Sequence, residues 1–196
     1  GNPKPNCISV IDGYAYINCG SNSSFNNLSF TASAWIKPFS FNSQYGHHTV
    51  FGKRPNNGGW EFLVQQDGAI RFTVADYGDY ATATNIVQPN SYQHVAVSVD
   101  NSNCTSGMLN GTPCATLNIY YNGQNVYSNT VAQIYNVGNS IGFTIGCDNP
   151  IYFNDLFYGN IDDVQFWTSV LSEQEIQDYM QCPPTGTESG LFGYWN

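Results

Sequence analysis

The sequence predicts an all-β protein, a two-sheet antiparallel sandwich with one short C-terminal helix. Three observations point to it. Short apolar or alternating runs bounded by Gly, Asn and Pro recur along nearly all of the 196 residues, the spacing expected when each strand buries one face. The pairs Asp67-Gly68 and Asn122-Gly123 each sit between two such runs and suit the positive-φ positions of a tight hairpin turn. A single segment, near the C-terminus, carries helix punctuation.

In chain order, strands are expected at YAYINC (14–19), FTASAWIKP (30–38), HTVFGK (48–53), WEFLVQQ (60–66), AIRFTVAD (69–76), HVAVSVD (94–100), TLNIYYN (116–122), FTIGC (143–147) and DVQFW (163–167). Residues 60–76 and 117–128 form hairpins around their Gly turns. DYGDY (76–80) reads as a loop. The helix starts after Ser172, which forms an S-x-x-E capping box with Glu175; Ile176 and Tyr179 give it an apolar side, and Cys182-Pro183-Pro184 ends it. No repeat or long linker interrupts residues 1–196, so a single domain is expected.

A hydrophobic share of 41% supplies a core, whereas charged residues make up only 10%, so Asn, Ser, Thr, Tyr and Gly must provide the polar surface. The net charge of −9 with only five Lys and Arg excludes a nucleic-acid partner, because so few cations cannot neutralise a run of phosphates. Cations suit such a surface better. No apolar run approaches the ~20 residues of a membrane helix, so no membrane insertion is expected. Six cysteines without a C-x-x-C pair, and three His at no zinc-like spacing from them, read as disulfides and hence an extracellular or cell-surface location. Sequons at Asn22, Asn27, Asn103 and Asn110 would place glycans on surface loops in a eukaryotic source. The opening GNPKPNC is expected to be part of something longer.

FTASAWIKP, YQHVAVSVD (92–100) followed by LNIYYNGQ (117–124), and FYGNIDDVQFWTSVLSEQEI (157–176) occur in that order, and GLFGYWN (190–196) closes the chain. In these blocks, and over the chain from Cys7 onward, the sequence resembles the laminin-G-like and pentraxin-like domains of the concanavalin A-like lectin/glucanase superfamily. The most specific block is G-x-I-D-D-V-x-x-W, then a short loop, then L-S-x-x-E-I opening a helix. The resemblance implies a jelly roll of two packed antiparallel sheets. Lectins, adhesion modules and enzymes share that fold, so function has to be argued from the site.

Glycosidases on this fold carry E-x-D-x-E on one strand, which sets acid and nucleophile over one cleft. The close acidic pairs here are Asp76 with Asp79 and Glu173 with Glu175, while Asp162 and Asp163, being adjacent, point to opposite faces of a strand. With no G-x-S-x-G either, no catalytic residues are expected. The chain is therefore expected to be a non-catalytic recognition or adhesion module that binds glycans with the help of Ca²⁺. The alternative is a protein-interaction or structural module of a larger surface protein or extracellular fibre.

The resemblance implies a structural calcium held by Asp162 and by backbone carbonyls of the Asp12-Gly13 turn, hard oxygens of the kind Ca²⁺ takes. A bulge after Ile161 would set Asp162 apart from the core residues of its strand. By themselves, Asp12 and Gly13 read equally as an ordinary tight turn. The family's rim calcium would draw on the late loop CDNPIYFNDLFYGN (147–160), where Asp148, Asn149, Asn154 and Asp155 crowd oxygen ligands. Its earlier carboxylate would fall near residues 53–57, which hold Asn and no Asp. The recognition surface is expected on this rim, joined by Trp60, Tyr77 and Tyr80, whose rings suit stacking on sugar faces. The concave sheet face, through Tyr120 and Gln65, is the competing location. Trp35, Trp167 and Trp195 lie within strand blocks and are expected in the core. The resemblance also brings the chain ends together and so pairs Cys7 with Cys182. Cys104 and Cys114 flank a Gly/Thr/Asn loop that a local disulfide would close, which leaves Cys19 with Cys147, one of several pairings six cysteines allow.

Overall fold

Alternation of apolar residues along extended segments does become paired strands. A computed structural model describes residues 8–11, 14–26, 29–41, 46–54, 58–104, 112–134, 141–148 and 155–196. In these residues the strands are β1 (Ile8–Ile11), β2 (Tyr14–Asn18), β3 (Phe30–Pro38), β4 (His47–Lys53), β5 (Trp60–Gln65), β6 (Ile70–Val74) and β7 (Gly78–Ala81). They continue with β8 (Gln93–Asp100), β9 (Pro113–Tyr121), β10 (Gln124–Ala132), β11 (Thr144–Ile145) and β12 (Gly159–Trp167), then helix α1 (Glu173–Gln181) and β13 (Leu191–Trp195). Two antiparallel sheets result, one ordered β1-β2-β11-β4-β5-β6-β7 and the other β10-β9-β8-β3-β12-β13.

Between them lies an aromatic core. Phe30 stacks on Trp60 at 4.6 Å between ring centroids, Phe51 on Phe62 at 5.0 Å, and Phe25 on Phe143 at 4.9 Å. Rings this large dominate core energetics, and truncating one such as Trp60 to Ala costs about 3–5 kcal/mol through the cavity it leaves.

The two hairpin turns differ in kind. Asn122 and Gly123 both take positive φ, 48° and 76°, as a type I′ turn requires. In the other turn Gly68 takes positive φ (76°), and Gln65 N–H donates to Ala69 O at 2.9 Å, which makes a three-residue loop with Gly at the left-handed position. DYGDY, expected as a loop, contains the edge strand β7. Asp76 turns the chain in the left-handed region (φ 69°), and Asp79 and Tyr80 then pair with Thr73 and Phe72. Strand β1, unforeseen in the sequence, pairs with β2.

A bulge is present one residue later than expected, after Asp162 and not after Ile161. The register shifts between Asp162 and Gln165, with Asp163 at φ 49°, so Asp162 is exposed while Val164 and Phe166 stay in the core. At the helix start, Ser172 Oγ accepts from Glu175 N–H, and Glu175 accepts from Ser172 N–H at 2.7 Å, the reciprocal box read from sequence. Helix α1 lays Ile176 against Ala96, Tyr120, Trp167 and Leu171. These residues lie on the outer side of the six-stranded sheet, so Tyr120 is covered and unavailable as a binding residue. Trp167 is buried under the helix instead of between the sheets, and Trp195 packs half-buried against the main core. Trp35 departs from expectation: it is only half-buried, because the residues on either side of it, Ala34 and Ile36, are the ones that face the core.

Cys104 and Cys114 are bonded, closing their loop as expected. Cys19 and Cys147 are buried thiols and Cys182 an exposed one, which corrects the expected pairings. Cys19 packs into the main core, whereas Cys147 sits beside Asp148 and Thr144. Cys7 lies outside the described residues. Among the described residues, no helix is long and apolar enough to cross a membrane.

Candidate functional site

Strand β5 alternates strictly: Trp60, Phe62 and Val64 enter the core, so Glu61, Leu63 and Gln65 point to the outer side of the seven-stranded sheet. Glu61 and Leu63 are nevertheless fully buried. The flanks of the late loop are pinned over the neighbouring strand: Gly146 N–H donates to Val50 O and Thr49 N–H to Asp155 O, each at 2.9 Å. Asp155 adopts φ 53°, a turn conformation that Asp tolerates.

This brings Asp148 and Asp155 to Glu61, and one carboxylate oxygen from each lies within 4.8 Å of the other two. Glu61, 0% exposed, accepts from Thr49 Oγ1 at 2.6 Å and from Arg54 Nη1 at 2.8 Å. Burial pushes its carboxyl up and the Asp155 charge adds to this, while Thr49, Arg54 and Arg71 pull it down. Asp155, 17% exposed, faces the solvent side of the trio, with His47 Nδ1 3.6 Å away. Glu61, Thr73 and Asp79 form one cross-strand row. Thr73 donates to Asp79 at 2.7 Å, and Arg71 contacts both Asp79 and His47 at 3.3 Å. A band of polar groups thus runs from the trio across β6 to β7.

The donor set fits a hard cation. Three oxygens each ~2.4 Å from a common calcium lie at most ~4.8 Å apart, and the trio's oxygens fall within that limit. All donors are oxygens, which suits calcium better than zinc.

Of the residues expected on the rim, Asp148 and Asp155 do come together. Asn149 and Asn154 lie outside the described residues, as do Asp12 and Gly13 of the expected structural calcium. Asp162 is exposed on β12 of the six-stranded sheet and is not one of the trio, its Oδ1 accepting from Asp163 N–H at 2.9 Å. Trp60 is a correction: fully buried between Phe30 and Phe72, it belongs to the core. Tyr77 is exposed at the β6–β7 turn, but Tyr80 is half-buried against the core with its hydroxyl accepting from Ala132 N–H at 3.2 Å. The residue that sequence reasoning missed is Glu61. The resemblance places an earlier carboxylate near 53–57, whereas the one that meets the loop carboxylates lies in the middle of WEFLVQQ; its one signal is a carboxylate on the outward register of an apolar strand.

A laminin G family model, described as the concanavalin A-like lectin/glucanases superfamily, matches residues 12–177. No curated protein sequence matches the chain. Among solved structures, one similar fold is a Bacteroides ovatus protein described as a candidate carbohydrate binding protein, with TM-score 0.68 and 19% identity over 87% of this chain. The chain spans 45% of that protein's length. Domain 4 of AbnA, an extracellular arabinanase of Geobacillus stearothermophilus solved with arabinotriose, aligns at TM-score 0.61 and 20% identity, covering 91% of this chain and 78% of that one. The heptameric SAP-like pentraxin of Limulus polyphemus aligns at TM-score 0.56 and 18% identity, covering 85% and 76%. At such identities the likeness is one of fold.

Proposed function

Because the chain belongs to the concanavalin A-like lectin/glucanases superfamily, we propose that it is a non-catalytic glycan-binding module that holds Ca²⁺ at Glu61, Asp148 and Asp155. The observation that carries this reading is the convergence of those three carboxylates on the outer side of the seven-stranded sheet. Calcium takes six to eight oxygens, so three carboxylates leave positions that sugar hydroxyls or water would fill. His47, Arg71 and Asp79 line the adjoining band and offer both donors and acceptors to a bound glycan. A hydrolytic role fits poorly: a catalytic carboxylate must touch the glycosidic bond, and Glu61 is fully enclosed.

Two relatives support the ligand class by analogy, the arabinanase domain with its arabinotriose and the B. ovatus protein. The Cys104–Cys114 disulfide supports an oxidising, extracellular or surface location. A glycan array with and without chelator tests the proposal. Binding to a glycan class that is lost with chelator, and lost in an Asp148→Asn/Asp155→Asn variant of unchanged fold, supports it. Silence in both conditions overturns it and favours a protein partner.

A further inference from the structure

Helix α1 covers only part of the outer side of the six-stranded sheet, the part bearing Ala96, Tyr120 and Trp167. Beyond it the same side carries a different surface. Trp35 lies half-buried and edge-on to His94 at 5.6 Å, and its register partner on β12 is the exposed Asp162. One step along, Lys37 pairs with Asn160, and the Lys37 ammonium sits 5.6 Å from the centroid of the Tyr92 ring. Tyr92 is 50% exposed, the most exposed of the aromatic rings among the described residues. Asn160 Nδ2 donates to the Tyr92 hydroxyl at 3.0 Å, which fixes ring and amide relative to one another.

Beside this pair opens a cavity of about 350 Å³, lined by Tyr16, Ile17, Tyr92, Phe157, Asn160 and Asp162 among others. We propose that this cavity is a second, calcium-independent subsite for one neutral pyranose residue of a glycan. The volume lies at the small end of ligand pockets, which suits a monosaccharide unit. The Tyr16 ring and the face of Tyr92 turned from the Lys37 ammonium offer apolar surface for the C–H side of the sugar. The Asn160 carbonyl oxygen and the Asp162 carboxylate accept hydroxyl hydrogens, and the Tyr92 hydroxyl, already accepting from Asn160, is left to donate. Charge selects the class: Asp162 lines the cavity and Lys37, though close to the Tyr92 ring, does not, so with a net charge of −9 on the chain uronic and sialic acids are disfavoured. The Asn160–Tyr92 bond makes the site pre-organised, because its two main contacts are held before a ligand arrives. The subsite rests on the glycan-binding reading only for its class of ligand; none of the trio's three carboxylates lines it, although Gly146 and Phe157, on the flanks of the loop that carries Asp148 and Asp155, do.

The test follows backbone and side-chain amide NMR signals of the whole chain in EDTA, where a calcium-held sugar cannot contribute. Methyl β-galactopyranoside, methyl β-glucopyranoside and methyl α-mannopyranoside are titrated in turn, with methyl β-glucuronide as the anionic control. The expected result is saturable shifts centred on Tyr92, Asn160 and Asp162 for at least one neutral pyranoside. Affinity falls at least about tenfold in Tyr92→Ala and in Asn160→Ala, with the remaining spectrum unchanged. Should either variant unfold, Tyr92→Phe, which keeps the ring and removes the hydroxyl, serves in its place with an intermediate loss. Shifts centred elsewhere, tighter binding of the glucuronide, or no shifts in EDTA despite calcium-dependent array binding would each overturn the subsite while leaving the general function standing. Silence in both experiments overturns both.

Discussion

The Thr49 hydroxyl lies 2.6 Å from a carboxylate oxygen of Glu61, and the same residue's N–H donates to the carbonyl of Asp155 at 2.9 Å. One β4 residue thus positions a strand carboxylate and a loop carboxylate together. A buried acceptor deprived of its partner costs about 1–3 kcal/mol. Thr49→Ala is therefore expected to lose about that much stability in EDTA, and Thr49→Ser to recover most of it. Urea unfolding of the three proteins decides; equal stability of the Ala and Ser variants would show that the contact contributes nothing.

Calcium should stabilise the fold by mass action, about 2.7 kcal/mol at a hundredfold excess over its Kd. The melting temperature is expected to fall on adding EDTA and to return with excess Ca²⁺, and Glu61→Gln or Asp155→Asn should remove this response. If Asp162→Ala removes it while the trio variants keep it, the ion belongs with the Asp12-Gly13 turn. A wild-type protein indifferent to EDTA would rule out a stabilising ion at either place.

Burial pushes His94 down to about 4, from an ordinary 6.5. Between those values the unfolded chain binds a proton that the folded one does not, so stability rises with pH through the window and is fully present above about 6.5. Acidification from pH 6.5 to 4 is expected to remove up to about 3 kcal/mol through this group. His48, lowered mainly by burial, acts in the same sense, whereas Glu61, raised by burial, acts in the opposite one. The measurement is therefore the difference between wild type and a His94→Gln variant in urea unfolding at several pH values. A difference that stays constant from pH 7 to 4 would contradict the assignment.

Native-state alkylation is expected to label Cys182 quickly and to leave Cys19 and Cys147 untouched until the protein unfolds. Both are buried; desolvation raises each thiol, Cys147 to about 12, so little thiolate is present at neutral pH. Non-reduced peptide mapping should recover Cys104 linked to Cys114, and Cys104→Ser is expected to cost about 3 kcal/mol for a loop of this length. A recovered Cys19–Cys147 peptide would contradict the structure.

Much of the sandwich was legible because alternation, turn pairs and capping boxes are local. WEFLVQQ declares a strand, though not that Trp60 faces in; Asn122-Gly123 declares its own turn, and Ser172 with Glu175 declares the helix start. Strand β7 escaped because Gly78–Ala81 is short and polar, and it becomes a strand only when β6 offers an edge to pair with. Asp148 and Asp155 were visible as a crowd of oxygens in one loop. Their meeting with Glu61, 87 residues before Asp148 in the numbering, was not, because nothing in a linear pattern says which strand a loop will be pinned across. Trp60 and Trp35 exchanged their expected places for a related reason. Composition determines that the chain has rings to bury, but which ring faces the core and which stays at the surface follows from strand register and from where α1 comes to rest.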